Sequence, residues 1–185
     1  MFFFEEVNKD NIFKPRSVEH AYLAILNEDL TSAEAVFEAV DSPRARWGKA
    51  LVGILSNYME FYPSYFEIRN FYEIDLDFLI KNEKVGYVES LLGSLEYLSK
   101  INQEVYKYTA RVMYENGYIN ASLNYMEKSK ELFYKDPELH FMLAKYYFKT
   151  NQFKLSDYYL SECLSFVPSY YPAIAMKAEI QSMQC

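Results

Sequence analysis

The sequence predicts an all-α protein made of about ten antiparallel helices. Glycine and proline are scarce, with five Gly and six Pro among 185 residues, so the chain has few breaks. Apolar residues recur at helical spacing, and no long alternation of β-branched and polar residues indicates a strand. Small residues also recur at a constant 34-residue interval, which is typical of stacked helix pairs.

Helices are expected to begin at proline, because proline lacks the N–H that the first helical turn leaves unpaired in any case. Ser42-Pro43, Asp136-Pro137 and Tyr171-Pro172 fit this pattern. Thr31 and Glu34 have the spacing of a capping box, in which each side chain accepts from the backbone amide of the other. We therefore expect a helix to start at Thr31.

An irregular arm is expected over residues 1–16, followed by ten helices. The connections between them are two to four residues long, so neighbouring helices must be antiparallel. The predicted helices cover residues 17–28, 31–40, 43–59, 64–81, 84–101, 103–116, 119–133, 137–150, 153–166 and 172–184.

The 34-residue interval is clearest in the last 80 or so residues. Ala110, Ala144 and Ala178 stand at this spacing. Small residues recur where two helix backbones approach closely, and large residues recur where side chains fill the space between helices. The further pairs at the same spacing are Ser122/Ser156, Ser129/Cys163, Met113/Tyr147, Ile119/Phe153 and Leu132/Phe166.

On these residues the chain resembles the tetratricopeptide repeat family. The unit Pro137–Tyr170 matches the family's large, small and closing positions at Leu143, Ala144, Tyr147, Ser156, Cys163 and Pro168. The preceding unit has Tyr134 in place of the closing proline, but it matches at Ala110, Gly117, Ser122 and Ser129. The resemblance implies a right-handed α-α superhelix of antiparallel helix pairs and a role in protein binding.

One continuous domain with three parts is expected on this basis. Residues 1–16 form the arm, residues 17–102 a divergent helical-repeat region, and residues 103–185 two repeats followed by a capping helix. Five helices are predicted before Gln103, and an odd number cannot all form pairs. Either one of them is a spacer or a cap, or the count is wrong.

Composition argues against several functional classes. The net charge is -7 and the isoelectric point is near 5.0, whereas nucleic-acid surfaces usually need a basic field. No stretch approaches the ~20 apolar residues of a membrane span. We therefore expect no nucleic-acid partner, no membrane contact and a cytoplasmic location.

Residues suited to catalysis or metal binding are few and scattered. His20, His140, Cys163 and Cys185 lack the spacing of a metal site, and no Gly-rich phosphate loop or Gly-x-Ser-x-Gly turn occurs. His140 is interpreted as a packing histidine. The sequence therefore predicts a protein that is not an enzyme and uses no cofactor or metal.

Two carboxylates need a separate interpretation. Glu73 and Asp77 stand four residues apart, so they share one face of a helix. A pair of carboxylates can bind a cation, but no histidine or further ligand completes a site here. We interpret this pair as part of a solvated helix face.

The resemblance also predicts where a ligand would bind. In the family, certain positions on the first helix of each repeat line a concave groove. Carried over to this chain, they form a stripe of basic residues with aromatic rings between them, suited to an acidic or aromatic-containing segment. The alternative is an ordinary solvated helix face. The stripe consists of Lys107, Arg111, Tyr114, Phe141, Lys145, Phe148 and Lys149.

Three functional hypotheses follow. The first is a non-catalytic module that binds a peptide or protein segment in a concave helical groove. The second is a cytoplasmic chaperone of a secreted or assembling protein, and the third is an enzyme or a regulatory subunit of an enzyme. The rings of Phe2, Phe3 and Phe4 need a docking surface, either on the chain's own helices or on a second copy, which would give a homodimer through the N-terminal arm.

Overall fold

The structure is a computed structural model that describes residues 17–58 and 61–183, and this part of the chain contains eleven α-helices and no strand. The predicted all-α class is therefore confirmed. The predicted arm and its three phenylalanines lie outside the described residues. The helices are α1 (Val18–Leu26), α2 (Leu30–Ala39), α3 (Pro43–Leu55), α4 (Tyr65–Lys81), α5 (Val85–Gly93), α6 (Leu95–Ser99), α7 (Val105–Glu115), α8 (Ile119–Leu132), α9 (Pro137–Lys149), α10 (Phe153–Phe166) and α11 (Tyr171–Met183).

The chain forms two compact units, one up to Glu67 and one from Ile68 onward. In the first unit α1 packs on α2 and α2 packs on α3. Its core contains the fully buried side chains of Phe37, Trp47 and Leu51. None of the described helices is both long enough and apolar enough to cross a lipid bilayer.

Two of the three predicted helix starts at proline are confirmed, whereas α11 begins at Tyr171, one residue before Pro172. The Ser42 hydroxyl oxygen accepts from the Ala45 amide at 3.1 Å, just before α3 begins at Pro43. The Asp136 carboxylate accepts from the Glu138 amide at 2.9 Å, just before α9 begins at Pro137. In each case the capping side chain satisfies an amide of the first turn that has no partner within the helix.

The predicted capping box at Thr31 and Glu34 is wrong. Helix α2 begins one residue earlier, at Leu30, and its cap is Asp29, whose carboxylate accepts from the Ser32 amide at 3.0 Å. Aspartate is at least as strong a cap as threonine, and it stands two residues closer to the end of α1. Asp29 therefore starts α2 after a shorter connection from α1 than the sequence predicted.

The predicted helix over residues 84–101 is in fact two helices, α5 and α6, separated at Ser94. The Ser94 hydroxyl donates to the Leu91 carbonyl oxygen at 2.7 Å, and Gly93 directly precedes it. Adjacent glycine and serine are a common cause of helix breaks, because glycine adds backbone freedom and serine competes for backbone hydrogen bonds. Six helices therefore precede α7, and the sequence-based count of five was too low.

In the second unit the helices α7 to α10 form two pairs that repeat the same contact. The Ser122 hydroxyl on α8 donates to the Ala110 carbonyl oxygen on α7, and the Ser156 hydroxyl on α10 donates to the Ala144 carbonyl oxygen on α9. All four residues are fully buried. The predicted equivalence of the two repeats is confirmed in atomic detail.

The third alanine of the series behaves differently. Ala178 lies on α11 and is exposed, whereas Ala110 and Ala144 are fully buried. No described helix follows α11, so nothing in the described chain covers the surface that α8 and α10 cover in the two repeats. Ala178 keeps the 34-residue register but not the buried environment of the other two.

One type of turn ends several of the helices. One residue has a positive φ, its amide donates to the carbonyl three residues back, and the next amide donates to the carbonyl five residues back. This is the Schellman arrangement, which satisfies carbonyl groups at a helix end. It ends α1, α3, α4, α7 and α9, with the positive φ at Glu28, Asn57, Glu83, Gly117 and Asn151.

Three of these turns stand at the repeat interval. Glu83, Gly117 and Asn151 follow one another at the same 34-residue spacing as the alanines. Helix α4 also packs on α7, where the buried hydroxyls of Tyr72 and Thr109 are 2.8 Å apart. The repeat period therefore extends back to α4, one helix pair further than the similarity of the residues indicates.

Candidate functional site

The predicted stripe lies along α7 and α9, and α4 contacts α7 beside it. Side chains at 34-residue intervals form rows across these helices, with Glu73, Lys107 and Phe141 in one row. The next row consists of Asp77, Arg111 and Lys145. Two of the predicted binding residues, Lys107 and Arg111, have carboxylate partners on other helices.

Arg111 connects these three helices. One of its terminal nitrogens donates to both carboxylate oxygens of Glu73 on α4, at 2.9 and 3.1 Å. The other donates to Glu138 on α9 at 2.5 Å. Burial raises the pKa of the Glu73 carboxyl, and the nearby Arg111 charge lowers it again in part. The guanidinium group is therefore engaged on both sides by carboxylates of the same chain.

Lys107 is still more enclosed, with only 7% of its surface exposed. Its ammonium group lies 2.7 Å from Asp136, 3.3 Å from Glu104 and 3.4 Å from Glu138. Burial lowers the pKa of this ammonium group, but the hydrogen bond and the charge of Asp136, with those of Glu138 and Glu104, outweigh burial and raise it above the ordinary lysine value. Lys107 therefore stays charged at neutral pH.

The two cations and their partners form a single network, which we call the α4–α7–α9 ion network. Within residues 17–58 and 61–183 it contains two cations and four carboxylates, those of Glu73, Glu104, Asp136 and Glu138. The carboxylates outnumber the cations, so this part of the predicted stripe has no excess positive charge. Its first role is to bind the helices to one another.

Lys145 and Lys149 differ from these two residues. Their ammonium groups lie 4.9 and 5.2 Å from the centre of the Tyr114 ring, which places both within cation–π distance of one aromatic face. The Tyr114 hydroxyl also donates to the Lys145 carbonyl oxygen at 3.4 Å. Lys149 is exposed and Lys145 is half-buried. Among the described residues, neither ammonium group has a carboxylate partner.

Phe141 and Phe148, the two phenylalanines of the stripe, pack against aromatic rings outside it. The Phe141 ring lies 5.4 Å from the Tyr170 ring, and the Phe148 ring lies 5.6 Å from the Phe153 ring. Both are half-buried against the core of the last repeat. Each ring therefore presents only part of its surface beside the lysines.

The interpretation of Glu73 and Asp77 as a solvated face is wrong. Both carboxylates point toward α7, where Glu73 meets Arg111 and Asp77 accepts from the Asn116 side-chain amide at 2.9 Å. Asp77 also pairs with Lys81 at 2.6 Å. The face is covered because α4 belongs to the repeat array, and the signal that could have shown this is the 34-residue interval between Glu73 and Lys107.

Of the residues considered for chemistry, His140 and Cys163 are buried, His20 is exposed, and Cys185 lies outside the described residues. His140 is buried, its Nε2 atom lies 2.5 Å from the Tyr134 carbonyl oxygen, and its ring packs on Tyr159 and Phe166. Burial raises the pKa of the Cys163 thiol to about 11, so the reactive thiolate is scarce at neutral pH. Within residues 17–58 and 61–183, no group of three His, Cys, Asp or Glu side chains could hold a metal ion.

Comparison with known proteins gives a limited result. No protein-family model matches the chain, and no curated protein matches it. A solved structure that is similar to it is the C-terminal part of a TPR repeat-containing protein from Cytophaga hutchinsonii, with 16% sequence identity and a TM-score of 0.49, over 91% of this chain and 71% of that one. The repeated arrangement of α7 to α10 is defined by the chain's own geometry, the repeated serine-to-alanine bond and the repeated turns.

Proposed function

We propose that this chain is a non-catalytic protein-binding module whose ligand is a peptide or protein segment with a carboxylate beside an apolar or aromatic side chain. The observation that carries this proposal is the position of Lys145 and Lys149 around the Tyr114 ring, without a carboxylate partner in the described chain. They present positive charge and aromatic surface together on α9 and α7.

Lys145 and Lys149 are better ligand contacts than the other two cations of the stripe. A ligand carboxylate at Lys107 would have to displace Asp136, and one at Arg111 would have to displace Glu73 or Glu138. Such an exchange breaks one ion pair for each one that it forms. At Lys145 or Lys149 the ligand only has to compete with water and with a cation–π contact.

The magnitudes favour this exchange. A cation–π contact at an exposed site contributes about 0.5–1 kcal/mol, whereas a hydrogen bond to a charged group contributes about 1.5–3 kcal/mol. A ligand carboxylate could therefore draw the ammonium groups away from Tyr114 with a net gain. The exposed ring face would then be free to contact an apolar or aromatic side chain of the same ligand.

A peptide-binding experiment tests this function. The probes are a set of short synthetic peptides that contain aspartate or glutamate next to phenylalanine, tyrosine or leucine, and the readout is the dissociation constant. For the double variant Lys145→Glu and Lys149→Glu we expect affinity to fall by about tenfold or more, which corresponds to about 1.4 kcal/mol.

The matched control is the double variant Lys135→Glu and Lys154→Glu. Both lysines are exposed and lie outside the stripe, so the change in net charge is the same. Retained affinity in this control, with lost affinity in the first variant, would support the proposal. Equal losses in both variants, or no binding of any peptide to the unchanged protein, would contradict it.

A further inference from the structure

A pocket of about 530 Å³ opens within the second unit, where α4 and α5 meet α7 and α8. Its walls are mostly apolar, and the volume lies within the range of pockets that bind ligands. Leu79 and Met113 at the base of the pocket are buried. The wall residues that the following argument uses are Leu79, Ile80, Val88, Leu92, Met113 and Ala121.

The pocket occurs where a large side chain is missing from the repeat pattern. Tyr147 on α9 is the counterpart, one repeat later, of Met113 on α7. The Tyr147 ring stacks on the Tyr159 ring, with centroids 5.4 Å apart and the planes at 2°, and it packs against the core between the two later pairs. Met113 is a narrower side chain than this tyrosine. Met113 lines the pocket at this position.

The rim of the pocket combines exposed apolar surface with acidic charge. Val85 is 65% exposed and Tyr118 is 53% exposed, so the apolar surface continues beyond the pocket. Glu83 and Glu89 lie at the rim together with Lys84, which leaves the rim with an excess of one negative charge. Within the described residues, Glu83 and Glu89 have no ion-pair partner.

From these features we infer that the pocket docks a short amphipathic segment of a partner protein. A bulky apolar side chain of that segment fills the space beside Met113, and an adjacent lysine or arginine pairs with Glu83 or Glu89. The apolar rim favours a protein segment over a small molecule, because Val85 and Tyr118 extend the surface to be covered outside the pocket. This site is separate from the lysine pair on α9 and recognises the opposite charge.

The probe is a short synthetic peptide with leucines four residues apart on one helical face and lysines beside them. Its binding is followed by the NMR signals of the Val85, Val88 and Met113 methyl groups. We expect these signals to shift on titration. A matched peptide with serine in place of leucine should bind about tenfold more weakly.

Two kinds of variant test the site. Ala121→Trp fills the pocket and should weaken binding about tenfold. Glu83→Lys with Glu89→Lys changes only exposed residues, so it remains informative even if the tryptophan variant does not fold, and it should also weaken binding about tenfold. The matched control, Glu131→Lys with Glu179→Lys, makes the same charge change on exposed residues elsewhere and should stay within about twofold.

Several results would overturn the inference. One is equal affinity for the leucine and serine peptides, because binding would then reflect charge alone. Another is equal affinity of the unchanged protein and the Glu83→Lys, Glu89→Lys variant. A third is that 1-octanol shifts the methyl signals while the peptide does not, which would assign the pocket to a small apolar molecule. Lys145→Glu with Lys149→Glu should not weaken this binding, so the two sites can fail independently.

Discussion

The hydroxyl group of Ser122 donates to the backbone carbonyl oxygen of Ala110 at 2.6 Å, across the contact between α8 and α7. Both residues are fully buried, and the Ala110 side chain allows the two helices to approach closely. The same bond recurs between Ser156 and Ala144 at 2.9 Å. A small residue on each helix and one hydroxyl group therefore define the contact within each pair.

Substitution of Ser122 tests this contact. Ser122→Ala should lower the free energy of unfolding by about 1 kcal/mol, the usual value of a buried hydrogen bond. Ser122→Val should lower the free energy of unfolding by about 1–3 kcal/mol more than Ser122→Ala does, because the larger side chain must fit where the helices touch. Chemical denaturation measures both. Ser165→Ala, at an exposed serine on α10, is the control and should change stability by less than about 0.5 kcal/mol.

The ion network predicts a large effect at Lys107. Lys107→Met should lower the free energy of unfolding by about 2–3 kcal/mol, because Asp136, Glu104 and Glu138 would lose their shared cation. This is less than the roughly 3–5 kcal/mol typical of fully buried pairs, since these carboxylates stay partly in contact with water. Thermal and chemical denaturation give the measurement. Lys154→Met, at an exposed lysine, should stay within about 0.5 kcal/mol, and an equal effect of both substitutions would argue against the network.

Two helical glycines should respond in opposite ways to alanine. A Cβ atom at Gly48 would overlap the ring of Phe37, whereas one at Gly86 would meet no atom within 4 Å. Gly48→Ala should therefore destabilise the protein by about 1–3 kcal/mol, and Gly86→Ala should stabilise it by up to about 1 kcal/mol through helix propensity. In a Phe37→Leu background, Gly48→Ala should lower the free energy of unfolding by less, because the overlapping ring is gone. A stabilising effect of Gly48→Ala in the unchanged protein would refute the overlap.

The repeated turn makes a prediction at its positive-φ position. Gly117 has a φ of 86° and Asn151 a φ of 59°. Gly117→Ala should destabilise by about 1 kcal/mol, because a Cβ atom is unfavourable in the left-handed region, although the site is otherwise open. Asn151→Gly should be neutral or slightly stabilising for the same reason. Melting temperatures of the two variants would show whether a Cβ atom at the positive-φ position destabilises both turns.

The raised pKa of the Cys163 thiol predicts that the stability of the protein depends on pH in the alkaline range. Its pKa rises from about 9 to about 11 on folding, so the native state holds the proton more tightly than the unfolded state. The resulting contribution to stability is complete below pH 9 and is lost as the pH rises toward 11. In a Cys185→Ser background, Cys163→Ala should therefore lose less stability between about pH 8 and about pH 10.5 than the parent does. The Cys163 thiol of the parent should also react with thiol reagents at neutral pH only upon unfolding.

Most of the helical fold was predictable, because helix periodicity, proline at helix starts and small residues at a fixed interval are local features of the sequence. The break at Ser94 and the cap at Asp29 were missed, because in each case several local signals compete within a few residues. The extension of the repeat period back to α4 was missed for a different reason. Leu76 and Val88 stand where Ala110 and Ser122 stand one repeat later, so the backbone turn repeats while the residue types do not.

For the predicted stripe, too, the sequence identified some features and missed others. Its residues could be listed from a resemblance, but their availability depends on partners far away in the chain. Lys107 meets Asp136 across 29 positions, and Arg111 meets Glu73 across 38 positions. The sequence shows which residues are charged but not how close they lie to one another in the folded protein.

By itself, then, the amino-acid sequence determined the helices, their pairing and the repeat interval, because these follow from hydrophobic spacing and backbone preferences over a few residues. Only the tertiary structure decided that Lys107 and Arg111 are held by carboxylates, whereas Lys145 and Lys149 meet none among the described residues, and that a pocket opens beside Met113. The physical reason is that charge pairing and packing gaps depend on which side chains adjacent helices bring together.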